Sequence, residues 1–352
     1  MIDWLTCRIP LNPPLPHPIA DGWTVILNAD GTEKLRTPHR LKVAGSFESS
    51  VAIRAPSVSE LEISGNLIKF LQGHNLYGTD DLAKLLWTSL QRLEPVLGVS
   101  LASIGICGPS DLDSTIVTRV DCTAMLHLDT AGDVLSWIRS AYATGAASRR
   151  GRGIMREGTL VYGDAKGRNF TRWQLVIYSK GQEVTDHPLP QMMMQDPEVL
   201  SWTNRCLRVE ARLGRLELEK KGLRTLSGWV ESTPARIWSE KVATLTFNDA
   251  VVCEDENNLA KLPSQLRGTY AQWKLGSDLR KLMSKTNFYR HRAAILGAIG
   301  VDIAIPPASA TTATIVPIKR ILEARPVGRP SWADRIDSQL REAGAVVMHN
   351  AA

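Results

Sequence analysis

The segment RWQLVIYSKGQE, residues 172–183, reads as a β-strand that carries a tyrosine and a lysine. Alternation sends Leu175 and Ile177 to one side, and Gln174, Val176, Tyr178 and Lys180 to the other. A phenol and an ammonium then share a face, one strand repeat apart. A tyrosine attacks a phosphodiester when something lowers the cost of its phenolate, whose reference pKa is about 10. A neighbouring cation does this, and a divalent metal does it better. Three other strand-like segments offer a carboxylate in the same way. Glu62 lies between Leu61 and Ile63, Asp121 between Val120 and Cys122, and Glu210 between Val209 and Ala211. If these strands share a sheet, all four polar groups lie on one surface. Two or three carboxylates form a hard oxygen site suited to Mg²⁺ or Mn²⁺. The ion would polarise a phosphate, Tyr178 would attack in line, and Lys180 and Arg119 would screen the charge. The competing reading is a tyrosine at the rim of a half-buried strand, with acids and arginines in weak surface pairs.

The elements that must position these groups follow from the hydrophobic pattern. Strands are predicted near 2–10, 23–28, 49–54, 58–64, 114–128 and 206–213, with a hairpin leading into the Tyr178 strand. Helices are predicted near 80–96 and 130–143, and over much of 188–206. Past about residue 235 strand patterns fade and helices dominate. The expected fold is α/β of the α+β kind: a mostly antiparallel central sheet with flanking helices, plus a small C-terminal helical domain. The expected boundaries are 1–235 for the sheet domain, 236–305 for the helical one, and 306–352 for a linker and peripheral tail. In 274–299 two short helices are expected to meet near Ser284–Asn287. Thr286 would cap the second, Phe288, Ile295 and Leu296 would face inward, and Tyr289, Arg290 and Arg292 would face out.

Accessory groups are fewer. His74, in LQGHN, sits on a glycine-containing turn; it is either a metal or phosphate ligand or a local backbone partner. His127 shares the Asp121 face but lies six residues along, about 20 Å away at strand rise. The arginine-rich loop with Arg149, Arg150 and Arg152 either tracks a DNA backbone or is simply solvated. Lys285, Arg290 and Arg292 belong to a basic stretch in which six Lys/Arg face one acid, Asp278.

Net charge is +6 over 352 residues, a mild lean toward a polyanionic partner. Five scattered cysteines show neither metal-ligand spacing nor a disulfide framework, which fits a reducing cytoplasm. The N-terminus lacks a basic, apolar signal pattern. No run of about 18 apolar residues is present, so no membrane span is expected.

Several pieces, in order, resemble the gene II replication initiators of filamentous phages. They are MIDWLTCRIP at the start, LEISGN and LIKFLQGHNLYGTDDL at 61–82, TRVD at 118–121, LVIYSK at 175–180, LRVEARL at 207–213 and FYRHRAAILGAIGVDI at 288–303. The RxD, YxK and RxE pieces also occur in the more distant rolling-circle plasmid initiators. The resemblance implies a site-specific single-strand endonuclease that nicks the plus strand at a duplex origin through a 5′-phosphotyrosine, then rejoins the displaced strand. It implies Tyr178 as nucleophile, Asp121, Glu210 and Glu62 as metal ligands, and Lys180 and Arg119 in support. It implies duplex origin DNA, the displaced single strand and the host helicase and replication machinery as partners, in a bacterial host cytoplasm. A homodimer is left open, as is the part of a second tyrosine, Tyr162 or Tyr77, in rejoining. The alternative is a non-catalytic DNA-binding regulator of replication. A DNA-mobilising relaxase would want clustered metal-binding histidines, and seven scattered ones with no HxH pair argue against it.

Overall fold

Strand alternation divides this chain into an apolar side and a polar side, and the computed structural model follows that division. It describes residues 1–148, 150–164, 170–247, 259, 261–299, 301–304 and 327–349. The strands among them are β1 (Ile2–Pro10), β2 (Trp23–Leu27), β3 (Glu33–Pro38), β4 (Leu41–Ala44), β5 (Ser50–Ser57), β6 (Glu60–Gly65), β7 (Ile116–His127), β8 (Gly145–Ala147), β9 (Gly151–Arg152), β10 (Ile154–Arg156), β11 (Thr159–Gly163), β12 (Trp173–Ser179), β13 (Cys206–Gly214) and β14 (Leu245–Phe247). Nine of them form one antiparallel sheet in the order β10-β11-β12-β13-β7-β1-β6-β5-β4. A small sheet, β14-β8-β9, and a separate β2–β3 hairpin complete the set. The fold is α+β, as expected.

One face of the large sheet is the main core. Leu5, Cys7, Ile63, Val120, Cys122, Leu175, Ile177, Val209 and Ala211 are buried there. Helices Leu82–Leu97, Ala131–Thr144 and Ser232–Val242 cover this face with Leu86, Leu90, Ile138 and Ile237. The first two start at side-chain caps. Asp81 accepts from the Lys84 amide, and Thr130 forms a reciprocal capping box with Asp133. Each fully buried Leu or Ile contributes about 1.5–3 kcal/mol. A one-residue slip of β7 or β13 would exchange these side chains for Asp121 or Glu210, so the apolar face fixes the register of the polar one.

A second core lies on the opposite face, at one end of the sheet. Met125 and Cys206 there meet Val184, Trp202, Trp332, Ile336 and Leu340. The last three residues belong to the C-terminal segment, whose helix spans Ala333–Glu342. That segment is held by main-chain bonds from Val327 N to Met125 O and from Val346 N to Leu71 O. The peripheral tail expected from the sequence is therefore corrected for 327–349, which packs into the sheet domain. The Pro/Ala/Thr-rich stretch before it lies outside the described residues.

Helices Ser264–Lys274, Leu279–Leu282 and Lys285–Ile299 share a third core of Leu266, Tyr270, Trp273, Phe288 and Ile295. Two expectations fail here. Thr286 lies inside the helix, which starts at Lys285, and Leu296 is 44% exposed rather than inward. No helix among the described residues is long and apolar enough to cross a membrane.

Candidate active site

The register of the central strands builds the site. Tyr178 on β12 lies opposite Arg208 on β13, which lies opposite Met125 on β7. One step along, Val176, Glu210 and Thr123 are aligned; one further, Gln174, Arg212 and Asp121, with Trp4 of β1 beyond. Tyr178, Glu210 and Asp121 thus share one face across three neighbouring strands. They sit where the second core gives way to half-exposed sheet.

The contacts are dense. The Tyr178 hydroxyl donates to Glu210 Oε1 at 2.7 Å, and Arg208 Nε donates to the same oxygen at 3.0 Å. Arg212 donates to Glu210 Oε2 through Nε and Nη2, at 3.0 and 2.7 Å, and its Nε stands 3.4 Å from Asp121 Oδ2. Arg119 clasps Asp121 with two bonds of 2.9 and 2.6 Å, while its guanidinium lies over the rings of Trp4 and Phe170. Asp121 and Glu210 are each 2% exposed, so these pairs act largely out of water.

Asp3 joins the group through an irregularity. Between Ile2 and Trp4 the β1–β7 register shifts, and this bulge lets Asp3 as well as Trp4 turn to the polar face. Its Oδ1 lies 2.6 Å from Arg208 Nη2 and accepts from Asn66 and Asn75 at 2.7 and 2.8 Å. Asn75 in turn receives Lys180 Nζ on its side-chain oxygen at 2.8 Å and Arg208 Nη1 on its carbonyl at 2.6 Å. Four acids, Asp3, Asp121, Glu183 and Glu210, therefore meet four bases, Arg119, Lys180, Arg208 and Arg212.

The charge states follow. Burial lifts the Tyr178 phenol well above its usual value; Arg208 pulls it down, and Glu210, Glu183 and Asp3 push it further up. Burial also opposes charge on Glu210, but Arg212, Arg208 and the tyrosine hydrogen bond outweigh it and hold that carboxyl well below the usual range. Asp121 is raised, because burial exceeds what Arg119 and Arg212 return. The result is an ionised carboxylate that accepts a hydrogen bond from a protonated phenol, with both groups shifted away from proton transfer at neutral pH.

Two expected members are placed differently. Lys180 is not on the strand: β12 ends at Ser179, which caps helix Lys180–Asp186, and Lys180 is buried against Asn75 and Glu183. The cation across from Tyr178 is Arg208. Glu62 is not brought to the other acids. It faces Arg8 on β1, which faces Ile116, about 17 Å along β7 and two strands, about 10 Å, across from Asp121. Arg40 and Arg54 hold it there and keep it below the usual carboxylate range although burial opposes this.

The metal expectation meets a smaller donor set. Among the described residues no three His, Cys, Asp or Glu side chains are grouped so that they could hold a metal ion. Asp121 and Glu210 do share one guanidinium, and the Thr123 hydroxyl, on the same face, is buried without a hydrogen-bond partner. Two carboxylates and an alcohol fit a hard cation that keeps several waters, as Mg²⁺ does. Arg212 stands on both carboxylates and would have to turn away.

The remaining candidates scatter. His74 is fully buried and neutral, its pKa driven down by burial to about 3; its Nδ1 accepts from the Leu76 amide at 3.3 Å, while its Nε2 has no hydrogen-bond partner among the described residues. His127 Nε2 lies 3.2 Å from Trp202 O, away from the cluster. Tyr162 donates to Ala141 O at 2.7 Å within the main core, and Tyr77 donates to Asp337 at 2.6 Å; neither faces Glu210. Arg149 lies outside the described residues. Arg150 lies over the Trp173 ring, and Arg152 donates to Gly276 O at 3.0 Å, joining the small sheet to the helical segment. Arg290 and Lys285 are exposed, and Arg292 is paired twice with Asp302. Sequence reasoning missed Asp3, Asn75, Arg208, Arg212 and Glu183. The alternation in LRVEARL marks both arginines as neighbours of Glu210, whereas nothing local marks the bulge that turns Asp3.

Residues 1–232 match the family described as the N-terminal region of a phage replication-associated protein, and residues 256–336 match the family described as its C-terminal region. The replication-associated protein of Enterobacteria phage I2-2 is 30% identical over 354 residues, covering 96% of this chain and 97% of that protein. No solved structure matches.

Proposed function

Because this chain belongs to the phage replication-associated protein family of the gene II type, we propose that it starts phage DNA replication by cutting one strand of a duplex origin with Tyr178, and later rejoins the displaced strand. Carrying the reading is one observation: the Tyr178 hydroxyl rests on buried, ionised Glu210 beside a second carboxylate. Tyr178 Oη bonds to phosphorus as the bond to the 3′ oxygen breaks. Glu210 takes the phenol proton, and the 3′ oxygen leaves with a proton from solvent. The transfer is uphill, and Arg208 opposite Tyr178 lowers its cost by stabilising the phenolate. The 5′ phosphate stays on the tyrosine, the 3′ hydroxyl primes synthesis, and attack by a 3′ hydroxyl reverses the step on the displaced strand. Lys180 acts at one remove, holding Asn75 and through it Arg208. Arg119 sets Asp121. Mg²⁺ or Mn²⁺ on Asp121, Glu210 and the Thr123 hydroxyl would supply charge to the phosphate oxygens. The partners proposed are origin duplex, displaced strand and host replication machinery, in the cytoplasm of a bacterial host.

The test uses supercoiled plasmid carrying the origin, incubated with Mg²⁺. The wild-type chain should relax it and leave a protein–DNA band that survives denaturation, and Tyr178→Phe should do neither. A wild-type protein that binds origin DNA without any such band would favour the regulator reading instead.

A further inference from the structure

Away from Glu210, between the small β14-β8-β9 sheet and helix Lys285–Ile299, lies a cleft of about 880 Å³. Its walls carry Arg280, Lys285 and Arg292, with Phe288 and Tyr289 between them. The acid among the lining residues, Asp302, is taken up by Arg292 in two bonds of 2.6 Å. The Arg280 guanidinium stands 4.8 Å from the Phe288 ring centre and 5.9 Å from that of Tyr289. Phe288 is buried in the third core, whereas Tyr289 is 38% exposed and lines the cleft beside the cations Arg280 and Lys285. The opposite wall is small: Ala146, Ala147 and Ser148 let a ligand approach the backbone. Arg152 ties the two walls together through Gly276 O.

We infer that this cleft is a single-strand DNA subsite, which stacks one unpaired base on Tyr289 and holds the adjoining phosphates on Arg280 and Lys285. A duplex keeps its base faces inside the stack and offers only edges and phosphates, so a recessed aromatic is of no use to it. A single strand offers a π-face at every base, and stacking on an aromatic beside an arginine is how such strands are held without regard to sequence. The cleft is of ligand-enclosing size and too small for a double helix. The inference rests on the replication-initiator reading, in which a displaced strand must be kept near the protein that will rejoin it.

The experiment measures anisotropy of a labelled twelve-residue oligothymidylate, and of a duplex of equal length, on the full chain in EDTA at fixed salt. Tyr289→Ala should weaken single-strand binding by about tenfold, while Tyr289→Phe keeps it. Lys285→Ala should weaken it less and reduce its salt dependence. Duplex binding should change less than twofold in all three. Unchanged single-strand affinity in Tyr289→Ala, or an equal loss for duplex, overturns the inference. Circular dichroism checks the fold, and Tyr289→Phe separates stacking from misfolding. Wild-type protein that leaves no covalent band on origin plasmid yet shows Tyr289-dependent single-strand binding fails the nicking reading alone; a covalent band with single-strand affinity unchanged in Tyr289→Ala fails the cleft alone.

Discussion

The Tyr178 hydroxyl meets the Glu210 carboxylate at 2.7 Å on a diagonal, because Tyr178 itself opposes Arg208 and Glu210 opposes Val176. Diagonal neighbours on adjacent strands are within reach of long side chains, so one register sets acceptor and cation around a single phenol. Glu210→Gln keeps the shape but removes the proposed base. Nicking should fall by about 10²–10⁴-fold, while origin binding is retained. Single-turnover cleavage alongside a gel-shift assay checks this; equal loss of both would mean that Glu210 only supports the fold.

The same pair sets a pH dependence. Glu210 is held below its unfolded value, so its share of stability is present above about pH 4.5 and is lost as pH falls through the folded value. Tyr178 is raised, so its share is present below about pH 10 and is lost as pH rises through its folded value. Asp121, also raised, has the sign of Tyr178 and works against Glu210 in acid. Urea midpoints measured from pH 3 to 11 should form a plateau with two falling limbs. Glu210→Gln should flatten the acid limb and Tyr178→Phe the alkaline one. Limbs of wild-type slope in both variants would contradict the assignment.

Arg212 touches both candidate metal ligands, with Nη2 2.7 Å from Glu210 and Nε 3.4 Å from Asp121. A cation entering there must displace a charge already in place. Arg212→Ala should therefore bind Mn²⁺ at least about tenfold more tightly by calorimetry, since removing one like charge at this range is worth more than about 1.4 kcal/mol at intermediate dielectric. Asp121→Asn should weaken binding from the same baseline. An Arg212→Ala isotherm that overlays the wild type would mean the metal is held elsewhere.

How much of this is legible in the sequence depends on the range of the interaction. The Asp121 and Glu210 strands are apolar on one side and charged on the other, so their faces can be read from the residues themselves. That β13 lies between β12 and β7 is set by packing across the whole chain, and no window of sequence contains it. Glu62 has the same local signature as Asp121 and Glu210, yet its strand lies beyond β1 and its register carries it away. Lys180 leaves the strand because Ser179, three residues before Gln182, forms a helix-start pattern that outweighs continued alternation. Asp3 reaches the site only because a bulge breaks the alternation on which a sequence reading relies.

The C-terminal helix supports the site from outside. Asp337 is 1% exposed, accepts the Tyr77 hydroxyl at 2.6 Å and is paired with Arg329. Tyr77 closes the turn that begins at Gln72, and Gln72 is itself held to this segment by the Met348 amide, 2.9 Å from its Oε1. Within that turn Asn75 contacts Asp3, Lys180 and Arg208. Asp337→Ala leaves the buried Tyr77 hydroxyl without its acceptor and Arg329 paired with Asp334 alone, which should cost about 1–3 kcal/mol. Loosening the turn should also slow nicking, although no atom of the helix is placed at the phosphate. Expected together are a lower melting temperature and a reduced cleavage rate at saturating DNA, with oligonucleotide affinity unchanged. Asp337→Asn, which keeps an acceptor for Tyr77, should recover most of the rate. A destabilised Asp337→Ala protein that still cleaves at the wild-type rate would show that Asn75 keeps its place without help from the C-terminal segment.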